Sequence, residues 1–201
     1  MMNHTSSKAK GVIRRVSWRH ESGQALVEFS LVALMLLSLT FGLIDFYRAL
    51  YEKEVLANLT REAANESARG SGTSTWQIMS NAMLAVASSS ESFALNSTNK
   101  NGVLILTAIT NDFSGKTSKY IVSQQMEEGK LAATSKVGPQ GLGYPAFLPK
   151  PTNTLYPMLQ SNRTVYVAEI FYSFKAVTPI GALIKATLTN QFYDVAYFPG
   201  G

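Results

Sequence analysis

Residues able to do chemistry are few in this chain and unevenly placed. Its 201 residues include no cysteine, and both histidines, His4 and His20, precede the first apolar stretch. A thiol nucleophile is therefore excluded, and the body of the chain has no donor for a histidine-containing zinc site, a Ser-His-Asp triad or a histidine general base. A hydrolase would have to use a Ser/Lys or carboxylate dyad. The adjacent pairs Ser118-Lys119 and Ser135-Lys136 carry no pattern that supports one. The residue most out of keeping with its surroundings is Glu28, in GQALVEFSLVALMLLSLTFGLIDF, Gly23 to Phe46. A carboxylate at the centre of a membrane helix costs roughly 2.5 to 3.5 kcal/mol on insertion scales, and less near the interface. Glu28 lies about one helical turn inside the apolar segment, where it is tolerable but not explained by anchoring alone.

The element that must position Glu28 is Ala25 to Ile44, in which Glu28 is the single ionisable residue. At about 1.5 Å per residue a helix of this length covers the roughly 30 Å of hydrocarbon in a bilayer. The formal net charge of +5 is concentrated ahead of it, with Lys8, Lys10, Arg14, Arg15 and Arg19 against Glu21 in residues 1–23. The rest of the chain is close to neutral, so the basic stripe that a nucleic-acid surface requires is not visible. The Lys/Arg excess before the apolar run, with mixed charges after it, puts the N-terminus in the cytoplasm and the polar C-terminal part outside.

Three readings of this N-terminus compete. A secretory signal peptide would have a shorter apolar core and an A-x-A-like cleavage site, whereas here the pattern runs on into FGLIDFYRALYEKE. An uncleaved signal anchor accounts for the apolar run and leaves Glu28 to snorkel to the headgroups. A prepilin-type signal is cut on the cytoplasmic side, so that the apolar helix stays on the mature protein. The spacing favours the third: Gly23 ends the polar leader, glycine gives a peptidase close backbone access, and Glu28 is the fifth residue counted from Gln24.

The run ESGQALVEFSL followed by FGLIDFYRALYEKEVLANLTREAANESARG resembles the TadE-like pseudopilins of tight-adherence (Tad/Flp, type IVb) pilus systems, with Gly23, Glu28, Phe29, Phe41, Gly42, Asp45 and Arg48 on the pattern. The resemblance implies cleavage by prepilin peptidase between Gly23 and Gln24, and a role in processing or assembly for Glu28 and Phe29. It also implies other pilins or pseudopilins and an inner-membrane assembly platform as partners, and no cofactor. Leu34 stands where such proteins often have a proline, which removes an expected kink. Cleavage would expose an α-amino group on Gln24, largely cationic at neutral pH, able to meet the Glu28 carboxylate of a neighbouring, staggered helix as a register pin.

Downstream, no proline or glycine interrupts DFYRALYEKEVLANLTREAANESAR before Gly70, so the helix continues well past the bilayer. Asp45 and Arg48 form an i,i+3 pair, either a helix-to-helix contact or an ordinary solvated pair at the outer interface. Gly70-Ser71-Gly72 ends the helix, and Thr73 or Ser74 caps a second one whose stripe of Trp76, Met79, Met83 and Val86 reads as core. Val103 to Thr110 and Tyr120 to Gln124 are strand candidates. The Pro- and Gly-rich Gly138 to Asn162 reads as loop, with Tyr144, Phe147 and Tyr156 either contacts for a partner or packed over the sheet. Thr164 to Lys175 is a strand with its even-numbered side apolar, and a last strand falls near Thr187 to Tyr197.

The expected organisation is a cytoplasmic leader (1–23), a transmembrane helix (24–45), an outer continuation of that helix (46–70) and an extracytoplasmic α+β domain (71–201). That domain has one short helix and an antiparallel sheet of about four strands, pilin-like by analogy of fold. The function expected is a non-enzymatic structural subunit of a bacterial inner membrane or pilus. The alternative is an uncleaved single-pass membrane protein whose outer domain binds an envelope partner or ligand.

Overall fold

The structure, a computed structural model, describes residues 21–70, 74–89, 95, 101–112, 119–141, 164–179, 181 and 191–200. The chain divides into two units, residues 1–41 and 42–201. Helix α1 (Glu21–Arg69) contributes to both and begins three residues before Gln24.

In the first unit, the apolar side chains of α1 are exposed on every face, Leu26, Phe29, Leu31, Leu34, Met35 and Leu37 among them. A helix apolar all round requires hydrocarbon or other helices as its surroundings. Its hydroxyls are satisfied internally: Ser30, Ser38 and Thr40 donate to the carbonyls of Leu26 (2.7 Å), Leu34 (2.9 Å) and Leu36 (2.8 Å). Such i−4 bonds leave no orphan donor in an apolar medium. With leucine rather than proline at position 34, α1 is unbroken there.

In the second unit, α1 becomes a core helix. Asp45, Ala49, Leu56, Ala63 and Ser67 recur at spacings of four and seven and are all buried, which places them on one face. On this part of the helix Thr60 and Ser67 donate their hydroxyls back to Leu56 (2.7 Å) and Ala63 (2.8 Å). The helix ends at Gly70, where a Cβ would lie 2.7 Å from Ile78 of the next helix. That helix, α2 (Thr75–Ser89), is capped by Ser74, whose Oγ accepts the Gln77 N–H at 3.3 Å. Met79, Ala82, Met83 and Val86 face the core, but Trp76 does not, being 53% exposed.

Four antiparallel strands follow: β1 (Gly102–Asp112), β2 (Lys119–Gly129), β3 (Val165–Ser173) and β4 (Gln191–Pro199), in the order β2-β1-β3-β4. Central β1 and β3 pair with Leu106 opposite Ala168 and Ile105 opposite Glu169. Leu104, Leu106, Ala108, Ala168 and Ile170 pack with the two helices in the main core. The even-numbered side of β3 is thus the helix side, but the odd side is buried as well. It is covered by Leu131 to Val137, an extended strap in which Leu131, Ala133 and Val137 point inward onto Val103, Ile105, Val165, Val167 and Phe171. The first residues of the expected last strand, 187–190, lie outside the described residues.

The strap leaves β2 through Gly129, whose φ of 121° is open to glycine and strained for other residues. A Cβ there would also collide with the Gly102 carbonyl oxygen. Gly129→Ala is expected to destabilise the domain by about 2 kcal/mol, measured by urea unfolding, whereas Leu84→Ala on the exposed side of α2 changes it little.

Candidate functional site

The N-terminal residues Gly23, Gln24, Glu28 and Phe29 all lie on the first unit's helix. Gly23 is exposed, and a Cβ added to it would meet nothing within 4 Å. Nothing in the surroundings of this position therefore demands glycine. The Gly23–Gln24 peptide lies on α1. The Gln24 side-chain amide donates to Glu28 Oε1 at 3.0 Å across one turn, and Phe29 is 74% exposed.

In the second unit, Asp45 and Arg48 do not pair with each other, in contrast to what their spacing suggests. Arg48 Nη2 bonds Glu52 Oε1 at 3.1 Å, an i,i+4 pair. Asp45 is fully buried, so it is not a solvated interface residue. Its Oδ1 accepts the Val177 N–H at 3.0 Å, and its Oδ2 accepts the Thr178 N–H at 3.3 Å and the Thr178 hydroxyl. Gly181 lies over the same carboxylate: a Cβ there would stand 3.6 Å from Oδ2 and collide with Ala176. A carboxylate withdrawn from water is strongly destabilising without donors, and the segment after β3 supplies them. Beside it, the Tyr172 hydroxyl is pushed up to about 12 by burial and then by the Glu52 carboxylate.

Sequence reasoning missed a second buried carboxylate, Glu169, on the strap side of β3. It accepts the Ser135 hydroxyl, the Lys136 N–H at 2.9 Å and the Tyr193 hydroxyl at 3.0 Å. Burial, and then the Glu169 charge, raises the Tyr193 hydroxyl well above its ordinary pKa. The Lys136 ammonium lies over the Tyr193 ring, 3.4 Å from its centroid. Ser135 also accepts the Val137 N–H at 3.1 Å. The Ser135-Lys136 pair therefore fastens the strap to the sheet; it is not arranged as nucleophile and base. The odd positions of VYVAEIFYS carried a signal, since Val165, Val167 and Phe171 flank Glu169 on that side of the strand. Ser118, Tyr144, Phe147 and Tyr156 lie outside the described residues.

These features define an α+β protein with one long N-terminal helix, apolar at its start, a short second helix and an antiparallel four-stranded sheet. The model of the TadE-like protein family matches residues 23–65, from Gly23 through Glu28, Asp45 and Arg48, and this segment is TadE-like. TadE-like proteins are associated with Tad pilus systems, and an apolar helix of this kind fits membrane anchoring. No curated protein and no solved structure matches the chain.

Asp45→Ala removes the acceptor for two N–H groups and a hydroxyl and is expected to destabilise the domain by about 3 kcal/mol, with Asp45→Asn intermediate. Urea unfolding of the full chain in detergent checks the order, and limited proteolysis is expected to cut first near Lys175.

Proposed function

We propose that this chain is a minor pseudopilin: a non-enzymatic subunit that prepilin peptidase cuts between Gly23 and Gln24, and that takes part in Tad-type pilus assembly, adhesion or secretion. It is held in the bacterial inner membrane by α1, with its N-terminus cytoplasmic and its sheet domain outside. Its partners are the peptidase, other pilins or pseudopilins and the inner-membrane assembly platform. The observation that carries this reading is that the family match begins at Gly23, a position where nothing in the fold requires glycine. Glycine there suits a peptidase that must approach the backbone closely.

Two further features support it. The apolar part of α1 is exposed on all faces and internally satisfied, a surface suited both to lipid before assembly and to other helices afterwards. Glu28 is the charged exception on that surface, and among the described residues it is held by Gln24 of its own helix. A neighbour's new Gln24 ammonium would pair with it. The pair is favourable chiefly because either charge alone in a low dielectric is costly.

Intact mass of the protein recovered from membranes is expected to correspond to a chain beginning at Gln24. Gly23→Leu should leave the leader attached. Glu28→Ala should still insert into the membrane but be recovered in the sheared pilus fraction about tenfold less, the consequence of losing a contact of about 1.4 kcal/mol. A native mass that retains residues 1–23 would instead support the uncleaved single-pass protein with a ligand-binding outer domain.

A further inference from the structure

The face of α1 opposite Asp45 and Ala49 is apolar beyond the end of the hydrophobic run. Leu43, Ile44, Phe46, Tyr47, Leu50 and Tyr51 are all exposed, and the exposed residues turn polar only at Lys53 and Glu54. Tyr47 and Tyr51 stack one turn apart, with ring centroids 6.4 Å apart and planes at 18°. The segment that caps Asp45 lies on the other side of the helix, at the level of Asp45, and is apolar as well. Val177 gives its N–H to Asp45 and turns its side chain outward, 69% exposed, between exposed Lys175 and Pro179.

We infer that Phe46–Tyr51 and the Lys175–Pro179 loop together form a membrane-interface surface, which seats the sheet domain on the outer headgroup layer. The inference rests on the membrane-anchored reading of α1. Ala25 to Ile44 already accounts for the hydrocarbon thickness, so the residues that follow it in sequence fall to the headgroup layer. Tyrosines with an apolar body and a polar tip are suited to that layer. Large apolar side chains exposed around one level of a helix, Phe46, Tyr47, Leu50 and Tyr51 on one side and Val177 on the other, are unusual on a surface facing only water. Lys175, exposed two residues before Val177, is long enough to present its charge to lipid phosphates. Asp45 accounts for the geometry: a carboxylate among residues bordering lipid must be hidden, and the loop that hides it brings Val177 to the same level of the helix. The match of this patch to lipid, rather than to a second copy of the chain, follows from its continuity with the apolar run.

The absence of cysteine from the sequence makes the test direct. Nitroxide labels at Tyr47→Cys, Val177→Cys and Pro179→Cys, with Leu84→Cys as control on α2, are introduced one at a time into the full chain. Each protein is placed in vesicles of phosphatidylethanolamine and phosphatidylglycerol, and flotation is checked first. The labels at positions 47 and 177 are expected to favour oxygen over a water-soluble nickel chelate severalfold relative to position 84. Labels at 47, 177 and 179 that are as open to nickel as the control, on protein that floats, overturn the inference and leave the anchoring intact. Spin–spin broadening at 177 without oxygen preference assigns the patch to a second copy and overturns it equally. Protein that does not float overturns the anchoring reading itself, and this inference with it.

Discussion

Burying the Asp45 carboxylate constrains the second unit, because an ion taken from water destabilises what surrounds it unless it is given donors. The donors here are the N–H groups of Val177 and Thr178, 132 and 133 residues away along the chain. That one acceptor joins the helix nearest the apolar run to the connection that leaves the central strand β3. The tight approach of Gly181 and the burial of Ala49 and Leu56 along the same helix face belong to that arrangement. Glu169 plays the corresponding part on the other side of the sheet, where it holds the Leu131 to Val137 strap with three donors. The two carboxylates fix the two layers that cover β1 and β3.

Helix α1 meets two different surroundings with one regular backbone. Up to Ile44 its side chains are mostly apolar and mostly exposed; beyond that point one face is a seam of small and apolar residues packed with the sheet. Hydroxyls appear in both halves and are treated identically, each returned to the carbonyl four residues earlier. What differs is the partner: in one half an apolar medium or neighbouring helices, in the other the chain's own sheet.

Much of this plan was legible in the sequence, for identifiable reasons. The long helix followed from a predominantly apolar run, Ala25 to Ile44, and an uninterrupted tail before Gly70. The second helix followed from the Ser74 cap and the Met79-Met83-Val86 spacing, although Trp76 kept to the periodicity while pointing outward. Strands β1 and β3 were carried by β-branched and aromatic residues. The strap was not legible, because KLAATSKV alternates among small and polar residues, and its burial depends on the sheet beneath it. Asp45 was misassigned since helical spacing reports neighbours three or four residues away and says nothing of a partner on a distant loop. Glu169 was not singled out because alternation alone implies one wet side, which the strap removes.

The claim on which the rest turns is that α1 is stabilised by two independent sets of surroundings that meet near Asp45. Hydrogen–deuterium exchange of the full chain in lipid nanodiscs, followed through a urea titration, measures this directly, since each amide opens with the unit that protects it. The account predicts that amides of Leu56 to Ser67 exchange together with strands β1 and β3, at a denaturant concentration where those of Ala25 to Ile44 are still slow. Loss of protection along the whole helix in a single step, or persistence of Leu56 to Ser67 after the sheet has opened, would contradict it.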